Sequence, residues 1–246
     1  MKKIIIACVL ALAPIVGFAA TGGFPLDKAD INLRDNASLQ RGAQAYFNYC
    51  YGCHSMKYVR YNRIGQDIGI SDAQLKDNFI FTDAKVGDQI TIATPAAELK
   101  KMFGVEPPDL SVIARARGAD YIYTYLRSFY TDPKRPWGVN NMVFPDVGMP
   151  NVLWELQGIQ DAVFKTETDA EGNEHHVFEK FELVKPGTLT PAEYDRLALD
   201  LTNFLTYAAE PIRTKREDMG IWVLLFIAVF TGLAYMLKKE FWKDVH

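Results

Sequence analysis

Two apolar runs frame the chain, and between them apolar positions recur at helical spacing. The first run is continuous from Ile4 to Phe18 in "MKKIIIACVLALAPIVGFAATGG", and the second, "MGIWVLLFIAVFTGLAYML" from Met219 to Leu237, contains no charge. In "DNASLQRGAQAYFNYC", Leu39, Ala43, Tyr46 and Phe47 share one helical face, with Asn36 or Ser38 as the cap. This predicts a helix that runs straight into a cysteine pair. "TPAEYDRLALDLTNFLTYAAEP" has stronger punctuation: Thr190 as cap, Pro191 at the first helical position, Glu193 closing a capping box, and Pro211 as the stop. Its apolar stripe is Tyr194, Leu197, Leu201, Phe204, Leu205 and Ala208. A third helix is predicted over "ADYIYTYLRSFY", Ala119 to Tyr130, aromatic on several sides and therefore well buried, between the proline-rich loops "GVEPPDLS" and "TDPKRPWGVNNMVFPDVGMP". "AVFKTETDAEGNEHHVFEKFELV" alternates about "EGN" and predicts a hairpin that projects from the body. The expected fold is mainly α with one small β-hairpin.

The end runs set the topology. Lys2 and Lys3 precede the first run and Ala19 and Ala20 follow it, the three-part pattern of a secretory signal cleaved after Ala19. Cys8 would leave with residues 1–19. As an uncleaved anchor, the run would be short for a full span. The second run, at ~1.5 Å per residue, covers just under the ~30 Å hydrocarbon layer, with Trp222 and Trp242 where interfacial aromatics sit. It predicts a membrane helix over 219–237 rather than a core helix. Lys238, Lys239 and Lys243 on one flank face Arg213, Lys215 and Arg216 on the other, so loop charge alone does not orient it. The signal does: residues 20–218 form an exported, periplasmic domain and 238–246 a cytoplasmic tail, a single-pass arrangement in the bacterial inner membrane.

Charge narrows the partners. Without Lys2 and Lys3, 25 basic residues face 30 acidic ones, which argues against nucleic acid. The 246 residues, about half apolar, suffice for one sizeable core or two small ones.

Chemistry enters at "NYCYGCHSMKY". A structural zinc site normally takes four protein ligands, and no second paired motif accompanies Cys50, Cys53 and His54. A thioredoxin-like dithiol would follow a strand in a βαβ pattern. A Cys50–Cys53 disulfide would close a very small loop and leave His54 unexplained. C-x-x-C-H is the attachment sequence of c-type haem: two thiols three positions apart face the same way, and the next residue is a histidine ligand for iron. An exported location suits that chemistry. The sixth iron position then needs a ligand, and a thioether there favours ferrous iron. Met56 is too near His54 to reach the opposite face, and Met219 and Met236 belong to the apolar run. Met102, Met142 and Met149 remain, with Met149 favoured because Gly148 and Pro150 can hold a turn close to the ring.

"CYGCH", "PPDLSVIARARGADYIYTYL", "FPDVGMPNVLWE" and one C-terminal membrane helix with a short basic tail, in this order, resemble the cytochrome c1 family, the haem-bearing subunit of the cytochrome bc1 complex. The resemblance covers nearly the whole mature chain. It implies one covalent haem c on Cys50 and Cys53, with His54 and Met149 as axial iron ligands, Arg115 against a propionate and Tyr121 packed near the ring. The segment "FPDVGM" is shorter than the F-P-G-G-x-x-x-M form of mitochondrial members. The implied role is one-electron transfer from a Rieske iron–sulfur subunit to a soluble or tethered cytochrome c, beside cytochrome b, with no substrate chemistry of its own. A cytochrome c subunit of a terminal oxidase, or a haem sensor or peroxidase, is the alternative. The acidic hairpin tip, with Glu167, Asp169, Glu171 and Glu174, reads either as a solvated projection or as a face that steers a basic partner.

Overall fold

The computed structural model describes residues 24–168 and 174–244. The signal segment 1–19, Cys8 within it, and the turn of the hairpin lie outside the described residues. The chain forms α1 (Asn36–Ala45), a π-helical turn (Tyr46–Cys50), β1 (Met56–Arg60), α2 (Tyr61–Ile68), α3 (Asp72–Asn78), β2 (Gln89–Ile90), α4 (Ala96–Phe103), α5 (Ile113–Arg117), α6 (Ala119–Arg127), β3 (Phe129–Thr131), β4 (Val139–Asn141), α7 (Trp154–Gln157), β5 (Gly158–Thr168), β6 (Glu174–Pro186), α8 (Pro191–Ala209) and α9 (Arg213–Phe241). The described strands pair two by two and antiparallel, β1 with β2, β3 with β4, β5 with β6. The fold is mainly α, as the sequence pattern indicates.

The core is built where α1 crosses α8. Gly42 makes the crossing possible: a Cβ there would lie 2.0 Å from the Asp200 carbonyl oxygen and 2.7 Å from Phe204 Cβ. Around this contact Leu39, Ala43, Tyr46, Phe47, Leu201 and Phe204 are buried. A polar network seals the same seam. Asp200, 5 % exposed, accepts from Ser38 Oγ at 2.6 Å and from Arg41 at 2.6 and 3.0 Å, and Asn203 donates to Ser38 Oγ at 2.9 Å. Ser38, Asp200 and Asn203 thus each have a hydrogen-bond partner, which is what makes their burial tolerable.

Helix boundaries follow their caps. Thr190 and Glu193 form the capping box with Pro191 in the first turn, as expected. At α1 the cap is Asp35, one residue before the candidate Asn36 and three before Ser38, with its carboxylate accepting from the Ser38 N–H. The helix does not run unbroken into the cysteines but widens into the π-helical turn. α6 stops at Arg127 rather than Tyr130. The Tyr125 carbonyl, which would take the Phe129 N–H in a continuing helix, instead accepts the Asn141 side-chain amide at 2.8 Å and the Ser128 N–H and hydroxyl, each at 3.3 Å, and Phe129–Thr131 pair with β4. The buried residues of α6 are Ile122, Thr124 and Leu126, while Tyr121, Tyr123 and Tyr125 are half-buried, less covered than their number suggests.

The hairpin β5–β6 is longer than the alternation predicts, pairing from Gly158 with Pro186 to Thr168 with Glu174. Of its acidic residues, Glu167 is paired with Lys165 at 2.7 Å, which offsets that carboxylate locally.

Only Glu210 to Ile212 separate α8 from α9. Arg216 pairs with Glu210 at 2.6 Å and Arg34 with Asp218 at 2.6 Å, joining the first turns of α9 to the end of α8 and to the N-terminal segment. Beyond Gly220 the helix is exposed throughout, with Trp222 73 % and Phe226 69 % exposed, and it is long and apolar enough to cross a membrane. It begins six residues before the apolar run because Arg213–Asp218 form a polar helical stalk.

Candidate haem site

The attachment motif sits at the exit of the π-helical turn. Tyr51 N–H reaches the Tyr46 carbonyl at 2.9 Å, and then Cys53 N–H and His54 N–H both converge on the Cys50 carbonyl at 3.1 and 2.9 Å. This tight turn places the Cys50 and Cys53 thiols, both free, on one short arc of chain. Burial pushes the Cys50 thiol up to about 12, with Cys53 adding to it, and burial raises Cys53 too. Both are therefore protonated thiols.

His54 is oriented from two sides. The Tyr46 hydroxyl donates to its carbonyl at 2.6 Å, and its Nδ1 lies 2.7 Å from the Pro108 carbonyl. A carbonyl only accepts, so this contact assigns the proton to Nδ1 and leaves the Nε2 lone pair available. Burial lowers the His54 pKa, against opposing contributions from the Pro108 carbonyl and Asp109, so the neutral ring is favoured. The Pro108 carbonyl is itself fixed by a stitched pair of segments. Asp109 accepts from Lys57 N–H at 2.9 Å, Ser111 Oγ accepts from Tyr58 N–H at 3.1 Å, and Leu110 N–H donates to the Ser55 carbonyl at 2.9 Å.

Met149 comes from a loop with its own scaffold. Asn141, fully buried, accepts from the N–H groups of Val143 and Phe144 at 2.9 and 3.2 Å, and Asn140 accepts from the Asp146 N–H at 2.9 Å. Arg135 clamps Asp146 through its carboxylate at 2.8 Å and its carbonyl at 2.7 Å, at a residue with φ of 61°. A Cβ on Gly148 would stand 3.0 Å from Val105 Cγ2 and 3.2 Å from the Phe103 carbonyl, so the loop is pressed against the 103–105 segment. The Tyr125 hydroxyl lies 3.4 Å from Met149 Sδ. These contacts define the path of the short "FPDVGM" segment. Met102 is 59 % exposed on α4, and Met142 is half-buried with its N–H on the Ser128 carbonyl at 3.1 Å.

The two arginines of "RAR" part company. Arg117 lies over the Tyr121 ring, 5.4 Å from its centroid. Arg115 instead stands in the field of Glu210, whose carboxyl is held below the ordinary range first by its hydrogen bond to Arg216 and further by Arg115 and Arg213. Spacing alone did not separate them. Asn140, Asn141, Arg135 and Tyr125, which contact the Met149 loop, are not singled out by the sequence motifs. The only available signal was the "NN" pair in a proline-rich loop, since Asn side chains commonly bond nearby backbone.

A cleft of about 450 Å³, lined in part by Cys53, Ser55, Ile92, Leu99 and Pro107, opens beside the motif. Two free thiols, an imidazole with its Nδ1 proton committed and a thioether suit a c-type haem by the chemistry of their donors. With the exposed apolar helix, the fold and site define a membrane-anchored protein of the c-type cytochrome class. The Cytochrome C1 family model matches residues 28–171 and 177–245, and the chain belongs to that family. It is a haem electron-transfer subunit of the bc1 complex. The chain is 52 % identical over 246 residues to cytochrome c1 of Allochromatium vinosum, covering all of both. It is 45 % identical over 246 residues to the ammonia monooxygenase gamma subunit of Nitrosomonas europaea, covering all of this chain and 99 % of the relative. Cytochrome c1 of Rhodospirillum rubrum is 28 % identical over 286 residues, covering all of this chain and 98 % of the relative.

Proposed function

We propose that the chain carries one covalent haem c and passes single electrons from a Rieske iron–sulfur subunit to a soluble or tethered cytochrome c, in contact with cytochrome b. Cys50 and Cys53 form the thioether bonds, and His54 and Met149 are the axial ligands. The His54 Nδ1–Pro108 carbonyl contact of 2.7 Å carries this reading, because it aims a lone pair away from the backbone directly after the paired thiols. The haem supplies reversible one-electron chemistry when bound. Arg115 neutralises a haem propionate and Tyr121 packs near the ring, as the resemblance implies, since a planar guanidinium fork matches a carboxylate, and Arg117 lies over the Tyr121 ring. The domain faces the periplasm, with the tail of α9 cytoplasmic, and the chain performs no bond-making reaction in isolation.

Acid acetone is expected to leave the colour with the protein, and intact mass to show one haem on a chain that begins near Ala20. A colourless chain of apoprotein mass, from a strain competent in haem attachment, would overturn the reading. Co-purification with a b-type cytochrome and a Rieske protein separates it from a terminal-oxidase subunit and from the role named for the Nitrosomonas europaea relative.

Cutting before Gly220 is expected to release a soluble cytochrome with the spectrum of the full chain, because α9 beyond Met219 buries nothing in the domain. Loss of the His/Met spectrum on truncation would show that the helix supports the site.

A further inference from the structure

Tyr125 makes a contact that haem attachment does not require. Other tyrosine hydroxyls in this core reach good acceptors: Tyr46, Tyr51 and Tyr194 donate to carbonyl oxygens at 2.6, 2.8 and 2.7 Å. The Tyr125 hydroxyl instead meets Met149 Sδ at 3.4 Å. A thioether has no hydrogen to give, so the phenol is the donor. The phenol is also fixed in place. Its ring stacks on Tyr121 with centroids 6.1 Å apart and planes within 10°, and meets Phe129 edge-on at 5.2 Å. Its carbonyl is held by the amide of Asn141, the same side chain that shapes the methionine loop.

We infer that Tyr125 is a positioning and tuning residue for Met149, holding one sulfur lone pair so that the other is presented to a metal. This rests on Met149 being the axial ligand. A hydrogen bond to sulfur withdraws electron density from it, and a poorer donor stabilises ferric iron less than ferrous iron. The hydroxyl therefore raises the midpoint potential, and its removal lowers it.

The test is a redox titration of the intact complex carrying Tyr125→Phe, with Tyr123→Phe as the control ring. Tyr125→Phe is expected to retain covalent haem and to lower the ferrous-to-ferric ratio at fixed ambient potential about threefold, which at ~59 mV per decade for one electron is about 30 mV. The red charge-transfer band that reports a sulfur–iron bond should persist at a shifted position. 3,5-Difluorotyrosine at 125, a more acidic phenol of nearly the same size, is expected to move the potential the opposite way, and it decides the matter alone if the Phe variant does not assemble. An unchanged potential, a shift matched by Tyr123→Phe, or two replacements that move the potential in one direction would overturn the inference. Met149→Leu separates the two failures. If it abolishes the red band while Tyr125→Phe changes nothing, the ligand assignment stands and the tyrosine role falls.

Discussion

Met149→Leu is expected to keep its haem and lose its potential. On the proposed function, attachment through Cys50 and Cys53 and ligation by His54 do not involve Met149, so colour and mass should be those of the parent. With the thioether gone, the preference for ferrous iron goes with it, and the midpoint should fall by a sizeable part of the ~0.8 V that axial ligands span. The open position should also admit CO at neutral pH, which a filled one refuses. Met142→Leu is the comparison: its residue sits where β4 leads into the loop, with its N–H on the Ser128 carbonyl, and its replacement should leave the potential in place. Redox titration and CO difference spectra read both. If Met142→Leu drops the potential and Met149→Leu does not, the wrong methionine has been assigned.

Gly42→Ala should be the most damaging small change in the core. The added carbon would sit 2.0 Å from the Asp200 carbonyl oxygen and 2.7 Å from both the Asp200 carbonyl carbon and Phe204 Cβ. Two of those atoms are backbone, so no side chain can swing aside, and α1 and α8 must move apart. Overpacking a core typically costs ~1–3 kcal/mol, and a backbone clash belongs at or above the top of that range. At ~2–4 °C per kcal/mol for a domain of this size, the melting temperature should fall by about 6–12 °C or more. Separation would also strain the bonds from Ser38 and Arg41 to Asp200. Gly87→Ala, where a Cβ meets nothing within 4 Å, is the matched control and should change little. Equal melting temperatures for the two variants would mean that the crossing tolerates a methyl group.

Much of this was legible in the sequence, and the reasons are local. The α8 start could be read because Thr190, Pro191 and Glu193 act within one turn. C-x-x-C-H could be read because its members are adjacent in the chain. The end of α6 could not, since it depends on Asn141, sixteen positions after the carbonyl it captures. Nor could the separate surroundings of Arg115 and Arg117, which depend on the direction of a short helix relative to Tyr121 and Glu210. The α1 cap lies one residue before Asn36 and three before Ser38, because Asp35, Asn36 and Ser38 are all competent caps and only geometry selects among them. Cues within a helical turn were readable, while those that depend on distant chain were not.

The brief link between α8 and α9 bears on how electrons can arrive. Three residues join the innermost helix of the domain to the one that enters the lipid, and the polar turns Arg213–Asp218 raise the domain by ~9 Å at ~1.5 Å per residue. The ion pairs of Arg216 with Glu210 and Arg34 with Asp218 brace the joint. Such a mount is a post, not a leash: it sets the height of the redox centre above the bilayer and allows it little lateral reach. Lengthening the joint would be the direct way to ask how much that fixed height matters.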